Sequence, residues 1–211
     1  MTTADDPIFW DKFARKYAAH QIADLGGYER TLERTRTLLS PGDAVLELGC
    51  GTGSTALRLA SGVKSYLATD LSPGMIEIAE EKLAAAFCPS LAFRPATAEL
   101  LAQEGQVFDT VLGFNYLHLV ADLPGTLDHI RSLTKSGGLF ISKTPCIADM
   151  NPMIRLALPL MRLVGKAPHV SVFTSTALAQ ALTAAGFTII AQERHGTKGK
   201  DARPFIAARK R

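Results

Sequence analysis

Cysteine is scarce in this chain. Three stand among 211 residues, at positions 50, 88 and 146, and no two form a Cys-x-x-Cys pair. An odd, scattered set builds no disulfide framework, so reduced thiols in a cytoplasmic protein are the expectation. Long apolar runs are missing too. None reaches the roughly 18 residues that a membrane-crossing helix needs, so at most peripheral membrane contact is expected. Met1 to Trp10 carries acids and no apolar stretch of the signal-peptide kind, which reads as no secretory leader. No grouping of His, Cys and Asp has metal-ligand spacing, so no metal is expected. The net charge of +3 is small, and part of it sits in Arg209, Lys210 and Arg211. Without an aromatic-rich basic patch, nucleic acid is not an expected partner. Internal repeats and linkers are also lacking, so 1–211 reads as one domain.

What is present is an ordinary globular composition, 47% apolar and 20% charged. A chain of this length buries a sizeable core without staples. The most informative stretch is Ala44-Val45-Leu46-Glu47-Leu48-Gly49-Cys50-Gly51-Thr52-Gly53-Ser54. It reads as a buried strand entering a glycine turn, with a helix opening at Ser54. Glycines there allow a sharp turn and a close approach of backbone to ligand. The helix N–H groups favour an anionic or polar ligand group. Asp70 ends the next apolar strand about 20 residues later, the spacing of an acid that accepts from ribose hydroxyls. The turn is Gly-x-Gly-x-Gly rather than Gly-x-Gly-x-x-Gly, which counts against a nicotinamide enzyme.

The remaining pattern alternates. Helices are expected over Pro7–Ala19 and Gly27–Leu39. Strands follow at 44–48, 65–69, 91–94, 107–113 and 139–143, separated by helices over 54–61, from Ser72-Pro73 to about Phe87, near Glu99 and over 122–133. Ser136-Gly137-Gly138 reads as the turn before the fifth strand. Asn151-Pro152 opens a helix with Met153, Ile154, Ala157, Leu158 and Met161 on one face, kinked at Pro159. A helix from Thr174-Ser175 ends at Gly186, and the last strands are 187–193 and 203–208. Between these, His195 to Asp201 is a polar loop. Such alternation implies an α/β fold, a parallel sheet with helices on both faces and ligands at its carboxyl edge.

At this point the motifs match a known family. Val-Leu-Glu-Leu-Gly-Cys-Gly-Thr-Gly (45–53), Ala-Thr-Asp-Leu-Ser-Pro-Gly-Met (68–75), Phe-Asp-Thr-Val-Leu-Gly-Phe-Asn-Tyr-Leu-His (108–118), Leu-Thr-Lys-Ser-Gly-Gly-Leu-Phe-Ile (133–141) and the segment 173–187 occur in order. The chain resembles the class I S-adenosylmethionine-dependent methyltransferases, particularly the small-molecule branch with the ubiquinone- and menaquinone-biosynthesis enzymes. The resemblance implies a Rossmann-like, mostly parallel seven-stranded sheet whose last strand is antiparallel. Residues 1–40 would form an N-terminal helical cap and 145–172 a lid-like insertion. The cofactor implied is S-adenosyl-L-methionine. Gly49, Gly51 and Gly53 would lie against its methionine part, and Glu47 would help place the amino group. Asp70 would take the ribose hydroxyls, with Leu71 and Met75 beside the adenine. Asn115 would face the methionine end. The family often has Asp-Ala after strand three; here Thr97-Ala98 stands in that place, with Glu99 next to it.

Methyl transfer from a sulfonium needs positioning more than acid or base, and no catalytic dyad is evident. His118 follows strand four and stands either as a base or as a structural hydrogen-bonder. Tyr116 either lines the acceptor pocket or packs in the core. Tyr17, four residues from Phe13, either seals the core or covers the cofactor. His20, His169 and His195, in terminal or loop segments, read as solvated or locally bonded, and Cys50 as a small apolar residue. The insertion, with methionines, leucines, Arg155 and Arg162, reads as a lid over an apolar pocket or as a helix packed on the sheet. The expected acceptor is a small apolar or amphipathic molecule, lipid- or quinone-like, handled by a monomer or homodimer. A catalytically silent cofactor-binding scaffold or partner subunit is the alternative. No Asn/Asp-Pro-Pro-Tyr motif follows strand four, which weighs against nucleobase methylation.

Overall fold

Buried strands with amphipathic helices between them produce the alternation that the sequence implies. The computed structural model describes residues 5–150, 153, 168–197 and 201–211. In chain order the elements are α1 (Asp5–Ala18), α2 (Leu25–Arg36), β1 (Ala44–Leu48), α3 (Ala56–Leu59), β2 (Ser65–Asp70), α4 (Pro73–Ala86), β3 (Leu91–Pro95) and α5 (Ala98–Gln103). Then come β4 (Phe108–Phe114), α6 (Leu123–Leu133), β5 (Thr134–Lys143), α7 (Ser175–Ala184), β6 (Phe187–Glu193) and β7 (Phe205–Lys210). The strands form one seven-stranded sheet in the order β3-β2-β1-β4-β5-β7-β6. Pairing is parallel from β3 through β5, and β7 inserts antiparallel between β5 and β6.

Strand side chains alternate between two cores, as the pleat requires. Leu46 and Leu48 of β1, Val111 of β4 and Phe140 of β5 pack with Leu127, Ile130, Leu178 and Leu182. Val45, Leu112 and Ile141 point to the other face and pack with Leu32, Leu59, Ile76 and Ala79. The sheet is therefore covered on both sides, and its carboxyl edge is left for a ligand.

Several boundaries differ from expectation, each for a local reason. The helix expected over 54–61 shrinks to Ala56–Leu59 followed by a 3-10 turn, Ala60–Gly62. The Ser54 hydroxyl does not cap it; it accepts from Lys82 Nζ at 3.2 Å, and Thr55 caps without a side-chain bond. So short a helix presents little dipole to a ligand. The second helix starts at Leu25 rather than Gly27, because Asp24 caps it by accepting from Gly27 N at 3.0 Å. Ser136-Gly137-Gly138 does not precede β5 but lies inside it. Phe108 pairs with Thr134 and Thr110 with Leu139, so the turn bulges out of the ladder with Gly137 at φ 73°. The last strand begins at Phe205 rather than at Arg203, after Pro204, which has no N–H to give to a ladder. The Ser72 and Thr174 caps stand as expected, accepting from Met75 N and Ala177 N. The helix expected after Asn151-Pro152, with its kink at Pro159, lies outside the described residues.

α1 is tied to the sheet edge through α4. Ala14 packs with Met75 and Ile78. Asp11 Oδ1 accepts from Ser72 Oγ at 2.5 Å and Gly74 N at 2.9 Å, and Arg15 makes a fork to Glu81 at 2.7 Å. This tether carries Tyr17 to the glycine turn.

Candidate functional site

The carboxyl ends of β1, β2, β4 and β5 open into a cavity of about 1230 Å³. Of the residues singled out in the sequence, Tyr17, Glu47, Gly49, Gly51, Asp70 and Leu71 line it. Met75, Thr97, Ala98, Asn115 and Tyr116 do as well. Gly53 and His118 do not.

The glycines divide the work between them. At Gly51 (φ 53°) a Cβ would meet only Tyr17 Cε1, at 3.8 Å, so the backbone lies open to the cavity. At Gly53 (φ 73°) a Cβ would fall 2.5 Å from Phe93 Cζ and 2.9 Å from Ala79 Cβ. Gly53 thus serves the close seating of the turn against β3 and α4. The ring of Tyr116 sits against Gly49, and burial pushes its phenol pKa up.

Two carboxyl groups dominate the electrostatics. Asp70, 9% exposed, accepts from Gly51 N at 2.9 Å and from Ser72 N at 3.0 Å. These bonds fix the end of β2 against the turn after β1. Burial raises the Asp70 pKa, and the N–H groups partly offset this. Glu47 is buried on β1, and its Oε2 accepts from the Tyr66 hydroxyl at 2.7 Å. Burial pushes its pKa to about 8, the Tyr66 bond opposing and the charge of Asp70 adding to the rise. Neither carboxyl forms an ion pair with a cationic side chain among the described residues.

Other side chains are placed as follows. The Thr97 hydroxyl accepts from Leu100 N at 3.3 Å, so it is occupied as the cap of α5. Asn115 adopts φ 51°, and its N–H donates to Lys143 O at 2.8 Å, which fixes the end of β4 to β5. Tyr17 is 49% exposed and meets Trp10 edge-on at 6.1 Å, so it sits at the cavity rim rather than sealing the core. His118 Nδ1 lies 3.2 Å from Thr144 Oγ1, and its carbonyl accepts from Ser171 N at 2.7 Å. Burial, with the charge of Arg203 adding, pushes the His118 pKa down to about 4, so the ring is neutral at physiological pH. His20 is locally bonded to the Lys16 carbonyl, and His169 Nε2 lies 3.2 Å from Ser171 Oγ. Cys50 packs partly against the core, as expected of a small apolar residue.

His195 is the locally bonded rather than the solvated of the two expected kinds of loop histidine, and it is also buried. It is 6% exposed, lies 3.1 Å from both Thr31 Oγ1 and Glu193 Oε2, and stacks on Phe205 at 4.8 Å. Its position beside the return into β7 buries it, and position in sequence did not reveal that. Lys143, the last residue of β5, and Arg203 also line the cavity and were not singled out. A lysine ending a buried strand at the carboxyl edge was the available signal.

This donor set suits a ligand with a cationic end and hydroxyls. Two inward carboxyl groups have no cationic partner among the described residues, and the turn at Gly51 leaves its backbone open. A family model described as a methyltransferase domain matches residues 11–192. The chain belongs to the class I S-adenosylmethionine-dependent methyltransferases. Their cofactor is S-adenosyl-L-methionine, and Glu47 and Asp70, without a cationic partner among the described residues, suit its ammonium and diol chemistry. The demethylmenaquinone methyltransferase of Symbiobacterium thermophilum is 30% identical over 153 residues, 69% of this chain and 59% of that enzyme. The lovastatin nonaketide synthase mokA of Monascus pilosus is 39% identical over 105 residues, 46% of this chain and 3% of the synthase. The chain thus spans less than two thirds of the length of these curated relatives. Among solved structures, magnesium protoporphyrin IX methyltransferase from Synechocystis, with bound SAH, superposes with a TM-score of 0.70 at 20% identity. That match covers 96% of this chain and 94% of the other, and it establishes a shared fold.

Proposed function

We propose that this methyltransferase, acting as one domain, transfers the methyl group of S-adenosyl-L-methionine to a small apolar or amphipathic acceptor in the cavity at its sheet edge. The observation that carries this reading is the pair Glu47 and Asp70, uncompensated among the described residues and facing a cavity larger than one small ligand requires. Ligand pockets run from roughly 300 to 1,000 Å³, so a volume of about 1230 Å³ leaves space for two molecules side by side. When bound, S-adenosylmethionine supplies an electrophilic methyl group on a cationic sulfur. Glu47 holds the ammonium end, and losing its proton supplies the negative charge there. Asp70 accepts from the ribose hydroxyls while its bonds to Gly51 and Ser72 keep it oriented. Leu71, Met75 and Ala98 wall the adenine side, with Thr97 contributing a capped edge rather than an acid. Asn115 faces the methionine end, and Tyr17 covers the mouth and excludes water. Tyr116 borders the acceptor, and His118 positions the segment after β4 through Thr144. The demethylmenaquinone relative supports a quinone-like acceptor.

The test is incubation with methyl-labelled S-adenosylmethionine and a panel of apolar phenols, enols and quinols. Label in any acceptor supports the reading. Tight cofactor binding with no label in any acceptor overturns it in favour of a silent scaffold.

A further inference from the structure

The cavity extends past the two carboxyl groups along the sheet. Neighbouring strands lie about 4.8 Å apart, so Lys143 on β5 stands two strands, about 10 Å, beyond Glu47 on β1 in the order β1-β4-β5. That places it past Asn115, on the side away from Asp70. Lys143 is half-buried, and its Nζ donates to Thr31 Oγ1 at 2.9 Å and more weakly to Gly27 O at 3.5 Å. An ammonium has three N–H donors, so one remains. Thr31 is itself held: its hydroxyl donates to Gly27 O at 2.8 Å and lies 3.1 Å from the buried His195. The anchor is therefore rigid.

The charges around Lys143 are Arg203, Asp24 and Asp201. Arg203 lines the same cavity. Both carboxylates are committed to other donors. Asp24 accepts from Gly27 N and from the N–H and hydroxyl of Thr197, and Asp201 accepts from Gly196 N at 2.8 Å and Arg203 N at 3.0 Å. Neither forms an ion pair with Lys143 among the described residues. Among the described residues, this partly buried ammonium keeps a spare donor and meets no direct counter-ion where it faces the cavity, and burial already lowers its pKa.

We propose that Lys143, backed by Arg203, binds an acidic oxygen of the methyl acceptor, so that the substrate class is an enol or phenol held as its oxyanion. Calling that oxygen the acceptor's rests on the methyl-transfer reading; the oxyanion site does not. A charge-assisted hydrogen bond in a partly dry site strengthens binding of the anion and makes the bound hydroxyl more acidic.

The test uses 4-nitrophenol, whose phenolate absorbs in the visible, and its neutral methyl ether 4-nitroanisole, titrated with and without S-adenosylhomocysteine. The wild type is expected to bind the phenolate tenfold or so more tightly than the ether, and to ionise bound nitrophenol at a lower pH than free nitrophenol. Lys143→Met is expected to lose both effects and Lys143→Arg to restore the preference. Calorimetry with S-adenosylhomocysteine checks that each variant is folded. If Lys143→Met does not fold, Arg203→Met, on an exposed loop residue, is expected to reduce the preference part-way. Equal binding of both probes, binding of neither, or an unchanged preference in folded Lys143→Met overturns the proposal. Failure of the wild type to bind S-adenosylhomocysteine strikes the methyl-transfer reading alone, because the probe preference is also read without it.

Discussion

The Tyr66 hydroxyl donates to Glu47 Oε2 at 2.7 Å, joining two neighbouring parallel strands beneath the cavity floor. Both groups are buried, and the bond does not supply the charge that would keep the carboxyl ionised. The pair therefore sets a pH dependence. Glu47 titrates near 8 in the fold, against 4.5 for an exposed glutamate. Between those values the folded form holds a proton that the unfolded chain has lost. Stability contributed by this group is present below pH 4.5, falls as pH rises through the window to about 8, and is level above it. Glu47→Gln should flatten that part of a melting-temperature profile and exceed the wild type in stability at pH 8. A profile unchanged by the substitution would show that Glu47 is ionised throughout.

The same carboxyl makes ligand binding proton-linked. An ammonium beside Glu47 lowers its pKa, so binding near neutral pH should release close to one proton. Calorimetry of S-adenosylhomocysteine in buffers of different ionisation enthalpy reads this directly. Observed enthalpies that do not vary with buffer would remove the ammonium from Glu47.

Asp70→Asn should weaken affinity for S-adenosylmethionine by roughly tenfold or more, the loss expected when a charge-assisted pair of hydrogen bonds goes. Asparagine is a cleaner probe than alanine, because it retains an oxygen for one of the N–H groups of Gly51 and Ser72. An unchanged dissociation constant would mean that Asp70 serves only to hold the turn.

Gly53→Ala and Gly51→Ala should separate folding from binding. The first places a methyl group against Phe93 and Ala79 and should lower stability by roughly 2–5 kcal/mol through overpacking and left-handed backbone strain. The second has room, and should lose only about 1–2 kcal/mol of stability while weakening the ligand. Denaturant titration and ligand calorimetry on both variants check this, and equal stability losses would contradict the division.

His118→Ala should leave a slow but measurable methyl-transfer rate, since the ring lies outside the cavity lining and contacts Thr144. With its pKa near 4, the ring should contribute no limb to a rate profile above pH 5. Loss of all turnover with ligand binding intact would make it the base.

Local signals carried much of this molecule. The apolar run ending at Leu48 and the Ser72-Pro73 cap depend on near neighbours, and both formed where the sequence implied. Most of the residues proposed to hold the cofactor follow strand ends directly, which is why they converge on one cavity. What the sequence hid depends on contacts from afar. The packing role of Gly53 requires Phe93, forty residues on. The short α3 reflects Lys82 taking the Ser54 hydroxyl. His195 is buried only because β7 returns between β5 and β6, and Lys143 faces the cavity only because Thr31 on α2 holds it there.

The central claim is that Glu47, Gly51 and Asp70 form a site for the methionine nucleoside. Its most direct measurement is isothermal titration of the wild-type chain with S-adenosylhomocysteine. The account predicts a single site with a dissociation constant well below the millimolar range; no binding at millimolar ligand would contradict it.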